Sequence, residues 1–333
     1  MLSAARSSEL LATFPNQHLV VVGDLMLDRY VTGSVERISP EAPVPVVHIY
    51  EERSVPGGAC NVAANIKSLG GQVTLCGVIG EDYFGDELMR VLGEYGIGMQ
   101  GVFRSPDAVT TVKSRVVADG QQVVRVDREK LPDTPVTDSP LFLESLREAL
   151  ASSTGAIVED YGKGVIHQGV IDAVVQSGRA HGFPTGFDPK NNYSLNVQGL
   201  TVVKPNRPEA FAALQRRDTT AHLPVERDPA ILEAGQALLA AWKPEFLLLT
   251  LGAHGMLVVS ADAEPHHVHT RAREVYDVSG AGDTVIATTL LALAGGATPI
   301  EAAELANYAA GVVVGKLGTV TCSPDELLAG ICS

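Results

Sequence analysis

The chain has 333 residues, of which 45% are hydrophobic and 19% are charged. This composition is typical of a packed globular enzyme and excludes an intrinsically disordered chain. Acidic residues outnumber lysines and arginines by 39 to 25, which gives a net charge of −14. Because such a surface repels phosphate backbones and anionic headgroups, we expect neither nucleic acid nor a membrane as a partner.

The chain also carries no targeting signal that we identify. Residues 1–17 contain no sustained apolar region, and the longest apolar run, 285–294, is far shorter than the roughly 20 residues of a membrane span. The cysteines lack the paired spacing of a metal site and are Cys60, Cys76, Cys322 and Cys332. We therefore expect reduced thiols and a cytoplasmic protein.

Short β-branched runs alternate along the chain with longer helical stretches. The predicted elements, in chain order, are strand 19–22, helix 59–69, strand 73–79, helix 85–95, strand 156–158, helix 170–181, a strand ending at Phe187, strand 200–203, helix 229–242, strands 246–251 and 255–260, and helices 280–293 and 299–314. Repeated βαβ alternation predicts an α/β fold with a mostly parallel sheet that helices cover on both faces.

Two segments interrupt this alternation. Residues 44–50 follow a proline-rich turn, and 112–126 alternate around Asp119 and Gly120, a strong hairpin signal. Since neither segment fits a parallel sheet, we predict a small antiparallel β lid inserted at about 31–55 and 108–128. We treat residues 1–333 as a single domain with this lid.

The strongest chemical signal is Gly280, Ala281, Gly282 and Asp283, directly before an apolar helix. Small residues let the amides of a helix N-terminus approach an anion, and Asp283 in the first turn could take a proton from a substrate hydroxyl. The alternative is a tight turn followed by an ordinary N-terminal acid. The spacing excludes both a dinucleotide fingerprint and a P-loop.

Two further motifs are weaker when taken alone. Gly57 and Gly58 open a predicted helix in which Asn61 supplies a donor and an acceptor. Asn206 and Glu209 fit either a helix capping box or a pair that orders Mg²⁺ near nucleotide phosphates.

A glycine-rich turn containing Thr250, Gly252 and Gly255 lies between two predicted strands, where open α/β sheets bind ligands. The order of the glycine pair, Asn-x-x-Glu, Thr-x-Gly-x-x-Gly and Gly-Ala-Gly-Asp resembles the ribokinase-like (PfkB) sugar kinases. The resemblance covers nearly the whole chain. It implies a three-layer α/β/α kinase fold with a β lid.

Segments 23–30, 37–47 and 311–319 narrow the resemblance to D-glycero-β-D-manno-heptose-7-phosphate kinases of lipopolysaccharide precursor synthesis. This implies ATP-dependent phosphorylation of the anomeric C1 hydroxyl of heptose 7-phosphate, with Mg²⁺, by a homodimer. In bifunctional relatives a nucleotidyltransferase domain follows the kinase. The chain ends at Ser333, so we expect the downstream phosphatase and nucleotidyltransferase on separate chains.

The resemblance also implies roles for individual residues. Asp283 matches the catalytic base and Gly280, Ala281 and Gly282 the anion hole, while Asp277 matches a position that binds a monovalent cation such as K⁺. The nucleotide and Mg²⁺ positions are Asn206, Glu209, Thr250, Gly252, Gly255 and Asn307. The substrate positions are Asp28, Gly57, Gly58, Asn61, Asp160 and Lys163.

Two departures from the family pattern stand out. Met26 occupies a position where many sugar kinases carry Asn, which argues against plain ribose as substrate. Glu159 replaces a serine of the heptose branch and adds a charge.

A heptose 7-phosphate requires cations that the overall charge does not supply. Lys113 and Arg115 point to the same face of the predicted hairpin and suit a phosphate dianion, with Lys163 and Lys190 as rival donors. The alternative is that the hairpin cations face solvent and protect an edge strand from aggregation.

His266, His267 and His269 suggest a metal site, but no cysteine or acid is spaced to complete it, so we predict a solvated strand. Two alternatives to the heptose kinase stay open at this point. They are a kinase for another sugar or sugar phosphate, and a non-catalytic sugar- or nucleotide-binding module.

Overall fold

The computed structural model describes residues 2–130, 136–190, 194–219, 224–272 and 275–332. In these ranges the β-strands are β1 His18–Gly23, β2 Leu25–Ile38, β3 Pro45–Gly58, β4 Gln72–Gly80, β5 Gly98–Ser105, β6 Thr111–Ala118, β7 Gln121–Arg128, β8 Gly155–Glu159, β9 Thr185–Asp188, β10 Val202–Val203, β11 Phe246–Thr250, β12 Met256–Ser260 and β13 Ala263–Val268. The α-helices are α1 Ala4–Thr13, α2 Ala59–Ser68, α3 Tyr83–Glu94, α4 Pro140–Ala151, α5 Gln168–His181, α6 Arg207–Ala213, α7 Pro229–Trp242, α8 Ala281–Ala294, α9 Pro299–Val314 and α10 Pro324–Cys332.

The central sheet has the strand order β13-β12-β11-β10-β9-β8-β1-β4-β5. From β11 to β5 all neighbours pair in parallel, whereas β12 is antiparallel to both β11 and β13. The predicted mostly parallel sheet is confirmed. Its parallel strands bring their carboxyl ends to one edge, which is where open α/β sheets bind ligands.

Helices cover both faces of this sheet because alternate side chains of each buried strand point to opposite faces. In β1, Leu19 and Val21 join one apolar core, and Val20 and Val22 join the other. The first core also contains side chains of α1, α2, α3, α8, α9 and α10, and the second those of α4, α5, α6 and α7. The fold therefore has three layers, as predicted.

A second, four-stranded sheet has the order β3-β2-β6-β7. The hairpins β2–β3 and β6–β7 are antiparallel, and they join through a parallel pairing of β2 with β6. The predicted hairpin turn is present, with Asp119 and Gly120 both at positive φ (53° and 78°). The smaller sheet is confirmed. Its first two strands extend from Leu25 to Gly58 and thus further than 31–55.

Several elements lie outside the predicted set, among them α1, α4, α10 and β5. β5 has glycines at both Gly98 and Gly101, which weaken its strand pattern. A Cβ at Gly101 would approach the Cys76 sulfur to 2.3 Å, so this glycine serves close strand packing.

No helix within the described ranges is both long and apolar enough to span a membrane. All four cysteines are free; Cys332 is exposed and the other three are buried.

Candidate active site

Helix α8 begins directly after Gly280. Gly280 is its N-cap residue and has a φ of +79°, and a Cβ there would lie 2.7 Å from Asn61 Nδ2. Both the backbone conformation and the space therefore require glycine. Within the described chain no side chain caps this helix. The Ala281 amide donates to the Val278 carbonyl (3.3 Å), so the amides of Gly282 and Asp283 are the ones that face an anion at the helix start.

Asp283 lies in that first turn and is only 5% exposed. Its Oδ2 accepts a hydrogen bond from Asn61 Nδ2 (2.6 Å), and its Oδ1 accepts one from the Tyr161 hydroxyl (2.8 Å). Burial raises the pKa of Asp283 although both donors oppose this shift. The result is an oriented carboxylate with increased basicity, which suits a general base.

Tyr161 is held in place by Asp24, which follows β1. The Asp24 carboxylate accepts from the backbone amides of Tyr161 (2.7 Å), Lys163 (3.0 Å) and Val165 (3.1 Å). Asp24 is 1% exposed, so these bonds fix the connection between β8 and α5 from inside the protein. No role was predicted for Asp24 or for Tyr161 from the sequence.

Asp28 and the glycine pair meet on the other side of Asp283. A Cβ at Gly57 would lie 2.9 Å from Asp28 Cγ, so Gly57 leaves room for this carboxylate. Asp28 Oδ2 accepts from the Thr319 hydroxyl (3.3 Å), and Asp28 Oδ1 lies 3.1 Å from Arg115 Nη1. Gly58, with a φ of +55°, is the N-cap of the helix that carries Asn61.

Lys113 and Arg115 lie on the face of the small sheet that carries Asp28 and Tyr30, because the register pairs Asp28 with Lys113 and Tyr30 with Arg115. The ammonium of Lys113 is 4.9 Å from the Tyr161 ring centre, and the guanidinium of Arg115 is 5.4 Å from that of Tyr30. Both cations thus face the Asp28 side of the site and are partly buried. This arrangement favours the substrate-facing alternative over a purely solvent-facing one.

The rival cations Lys163 and Lys190 each pair with an acid. Lys163 Nζ pairs with Glu129 (2.8 Å), and Lys190 Nζ pairs with Glu209 (3.3 Å) on the opposite side of Asp283. Asp160, beside Lys163 in sequence, accepts from the Gly162 amide (2.7 Å), and burial raises its pKa to about 6.

A pocket of about 730 Å³ opens between the sheet edge and α8. Its volume is in the range typical of small-molecule sites. Its lining includes these residues singled out from the sequence: Asp160, Lys190, Asn206, Glu209, Thr250, Gly252, Gly255, Gly280, Ala281, Gly282, Asp283 and Asn307. Asp283 therefore lies between this pocket and the Asp28 side.

Asn206 and Glu209 form the capping box of α6. Asn206 Oδ1 accepts from the Glu209 amide and Glu209 Oε2 accepts from the Asn206 amide, each at 2.9 Å. The capping alternative is thus confirmed. Glu209 Oε1 remains directed to Lys190 at the pocket, so the geometry is also compatible with the Mg²⁺ role, which stays a prediction.

The side chains of Asp277 and Asn307 both form hydrogen bonds with backbone groups. Asp277 accepts from the amides of Ser279 (2.9 Å) and Gly318 (3.0 Å), which ties the turn before α8 to the segment after α9. Asn307 Nδ2 donates to the His269 carbonyl (2.6 Å). Their cation and nucleotide roles stay predictions.

Three carboxylates from different elements converge at the pocket: Glu159 and Asp188 end β8 and β9, and Asp283 lies in the first turn of α8. One oxygen each of Glu159, Asp188 and Asp283 lies within 4.8 Å of the others, and Lys204 Nζ is 2.7 Å from Asp188 Oδ2. Burial, reinforced by the neighbouring acids, raises the pKa of Glu159 well above its ordinary range. Glu159 Oε2 is fully buried and has no hydrogen-bond partner among the described residues.

The ammonium of Lys204 supplies the positive charge of this cluster. Although burial by itself lowers its pKa, Asp188 and Glu159 raise it overall. Asp188 and Lys204 were not singled out from the sequence. The available signal was the position of each at the carboxyl end of a predicted strand.

An uncapped helix start, a buried carboxylate beside it and an adjoining pocket are typical of enzymes that transfer phosphoryl groups. Residues 16–326 match the model of the pfkB family carbohydrate kinases. The chain therefore belongs to this family, and the resemblance predicted from its motifs is confirmed.

Curated relatives support the same assignment. The chain is 44% identical over 317 residues to the bifunctional protein HldE of Mesorhizobium japonicum, which covers 95% of this chain and 62% of that protein. It is 41% identical over 312 residues to the bifunctional protein HldE of Geotalea uraniireducens, covering 94% and 62%. The chain thus spans less than two thirds of the length of these relatives.

Solved structures share the fold at low sequence identity. The Arabidopsis thaliana ribokinase complexed with ribose and ATP gives a TM-score of 0.74 at 21% identity, covering 95% of this chain and 98% of that one. Phosphofructokinase-2 from Escherichia coli in complex with potassium gives 0.76 at 19% identity, covering 95% and 99%.

Proposed function

We propose that the protein transfers the γ-phosphoryl group of ATP to the C1 hydroxyl of D-glycero-D-manno-heptose 7-phosphate, forming the 1,7-bisphosphate. The observation that carries the reaction type is the position of Asp283 between the large pocket and the Asp28 side. Membership of the pfkB family supports carbohydrate phosphorylation. The heptose motifs and the HldE relatives support this particular sugar.

In this mechanism Asp283 accepts the proton of the C1 hydroxyl while the hydroxyl oxygen forms its bond to the γ-phosphorus. The bond to the β,γ-bridging oxygen breaks, and ADP leaves with that electron pair. The amides that follow Gly280 stabilise the charge that develops on the transferred group. Hydrogen bonds from Asn61 and Tyr161 hold the Asp283 carboxylate in the orientation in which it accepts the proton.

The residues at the pocket fit a divalent cation because carboxylate oxygens are ligands that Mg²⁺ prefers. Glu209, with Asn206, would hold the ion on the phosphate side, where it would neutralise phosphate charge. Asp277 would serve a monovalent cation through the same turn that it already orders.

The 7-phosphate is assigned to Lys113 and Arg115. Both cations face Asp28. A heptose whose C1 hydroxyl lay at Asp283 would extend toward them. Arginine and lysine bind phosphate dianions through charge-assisted hydrogen bonds. Asp28 holds Arg115 in place for this contact.

We further propose a cytoplasmic homodimer whose product passes to a phosphatase and then to a nucleotidyltransferase. We also propose that residues 1–333 form a single kinase domain into which the lid is inserted.

A coupled ADP-release assay with a panel of sugars and sugar phosphates tests the function. The highest kcat/KM is expected with heptose 7-phosphate. A higher value with another sugar phosphate would favour the alternative kinase. If no sugar or sugar phosphate of the panel were turned over, the protein would be a non-catalytic binding module.

A further inference from the structure

We propose that Glu226, His267 and His269 form a binding site for a first-row transition-metal ion such as Zn²⁺, separate from the active site. His267 lies on β13, and His269 lies just beyond its end. Glu226 comes from a short 3₁₀ helix, Val225–Arg227, that precedes α7. The predicted solvated strand agrees with the mostly exposed β13. The sequence spacing offered no acid to complete a metal site, but the fold brings Glu226 to His267 from 41 residues away.

The three side chains offer a convergent donor set. One ligand atom of each lies within 4.8 Å of the other two. His267 Nδ1 is 2.5 Å and His269 Nε2 is 3.3 Å from the same oxygen, Glu226 Oε1. Two ligands at about 2.1 Å from a tetrahedral zinc ion are roughly 3.4 Å apart. The His269 distance already matches this value, and rotation of the half-exposed Glu226 would open the other.

The second nitrogen of His267 supports the site. His267 Nε2 lies 2.6 Å from the His254 carbonyl, which can only accept, so this nitrogen carries a hydrogen. Nδ1, the other ring nitrogen, faces Glu226 Oε1 and is the candidate ligand atom of this ring. Histidine ligands of metals typically donate their other N–H to a backbone carbonyl in this way.

The donor chemistry selects the ion. Two imidazoles and one carboxylate suit Zn²⁺ and related ions, whereas Mg²⁺ prefers oxygen ligands alone. His267 is largely buried, with 7% of its side chain exposed, whereas His269 is 73% exposed, so solvent can complete the coordination.

The site adjoins the pocket without lining it. His254 ends the turn that carries Gly252, and Asn307 fixes the His269 carbonyl from the pocket side. A bound ion would therefore join the Val225–Arg227 segment, β13 and this turn at one point.

Calorimetric titration of the metal-free full chain with Zn²⁺, in excess Mg²⁺, tests the proposal. The matched variants are His269→Ala and His266→Ala: both remove an exposed imidazole, but His266 alternates to the other face of β13. We expect one zinc equivalent that the wild type and His266→Ala bind alike. His269→Ala should weaken it by more than the roughly 10- to 100-fold that loss of a supporting hydrogen bond costs.

Co²⁺ in place of Zn²⁺ gives a second readout, a visible absorption band that His269→Ala and Glu226→Gln should abolish. Any of three results would overturn the proposal. The wild type would bind no zinc if a proton alone joins His267 to Glu226. The other two results are zinc binding by His269→Ala equal to that of the wild type, and a loss of binding in His266→Ala equal to that in His269→Ala.

Discussion

Asp283 is both an acid in the first turn of a helix and the proposed proton acceptor. Replacing its carboxylate with the amide of asparagine distinguishes these two roles. Asp283→Asn keeps the shape but removes the acceptor, so kcat should fall by about 10²- to 10⁴-fold. ATP and sugar should still bind, which calorimetry can verify. A near wild-type kcat at saturating substrate would refute Asp283 as the base.

Arg115 tests the phosphate assignment. Arg115→Ala should lower kcat/KM for heptose 7-phosphate roughly 10- to 100-fold, since a hydrogen bond to a charged group is worth about 1.5–3 kcal/mol. Because Arg115 also pairs with Asp28, some loss is expected with unphosphorylated heptose, but a smaller one.

The control for this experiment is Arg125→Ala. Arg125 is the cross-strand neighbour of Arg115, but its side chain is half exposed and pairs with Asp127. It should leave both substrates nearly unaffected. If Arg115→Ala lowered kcat/KM equally for the two sugars, the phosphate site would have to be reassigned to Lys163 or Lys190.

Glu159 makes stability depend on pH. Its pKa in the folded protein lies well above the ordinary 4.5, so the folded state retains a proton that the unfolded chain releases. Above pH 4.5 the free energy of unfolding therefore falls as pH rises, by up to about 1.4 kcal/mol per unit from this group, until the folded-state pKa is reached.

Glu159→Gln keeps the neutral shape and removes this dependence. Its Tm should exceed that of the wild type by a margin that grows from pH 5 to pH 8. Glu148→Gln, at an exposed position of α4, should show no such trend. A constant or shrinking margin would mean that Glu159 is ionised in the folded protein.

At the scale of elements, the sequence predicted those helix and strand bounds that depend on interactions between residues close in the chain. Helix α9 begins where Thr298 and Glu301 form a capping box and ends at Gly315, and its predicted bounds agree with the structure. The parallel pairing of β2 with β6 has no local signal. It joins two hairpins across a βαβ unit, so only the assembled fold fixes its register.

The connection between β8 and α5 depends on Asp24. Asp24→Ala would leave three largely buried amides without their acceptor, each at a cost of roughly 1–3 kcal/mol. We expect a lower Tm and a lower kcat, because Tyr161 would lose its position at Asp283. Asp24→Asn should restore part of both, and full kcat in a destabilised Asp24→Ala would separate this loop from catalysis.

At the scale of the molecule, the site is a product of topology. Glu159 and Asp188 end neighbouring strands, Lys204 follows the next, and Asp283 begins a helix packed over them. A linear sequence predicts each strand end but not which ends adjoin. The acids recognised by motif were therefore found, and the cluster that surrounds them was not.

The outer face of the small sheet bears on oligomeric state. Val124 and Val126 lie on its edge strand β7, on the face opposite Lys113 and Arg115, and are about half exposed. An exposed apolar edge strand is an aggregation hazard unless it is covered, and a second copy would cover it within the proposed dimer.

Sedimentation velocity should therefore give twice the chain mass of 35.0 kDa for the wild type. Val124→Lys should yield the monomer, and Gln121→Lys, with the same charge at the turn end of β7, should remain a dimer. A lysine reduces the net charge of −14 and so weakens repulsion between copies, which means that dissociation would report the lost apolar contact. A dimeric Val124→Lys would place the interface elsewhere, and a monomeric wild type would refute the dimer.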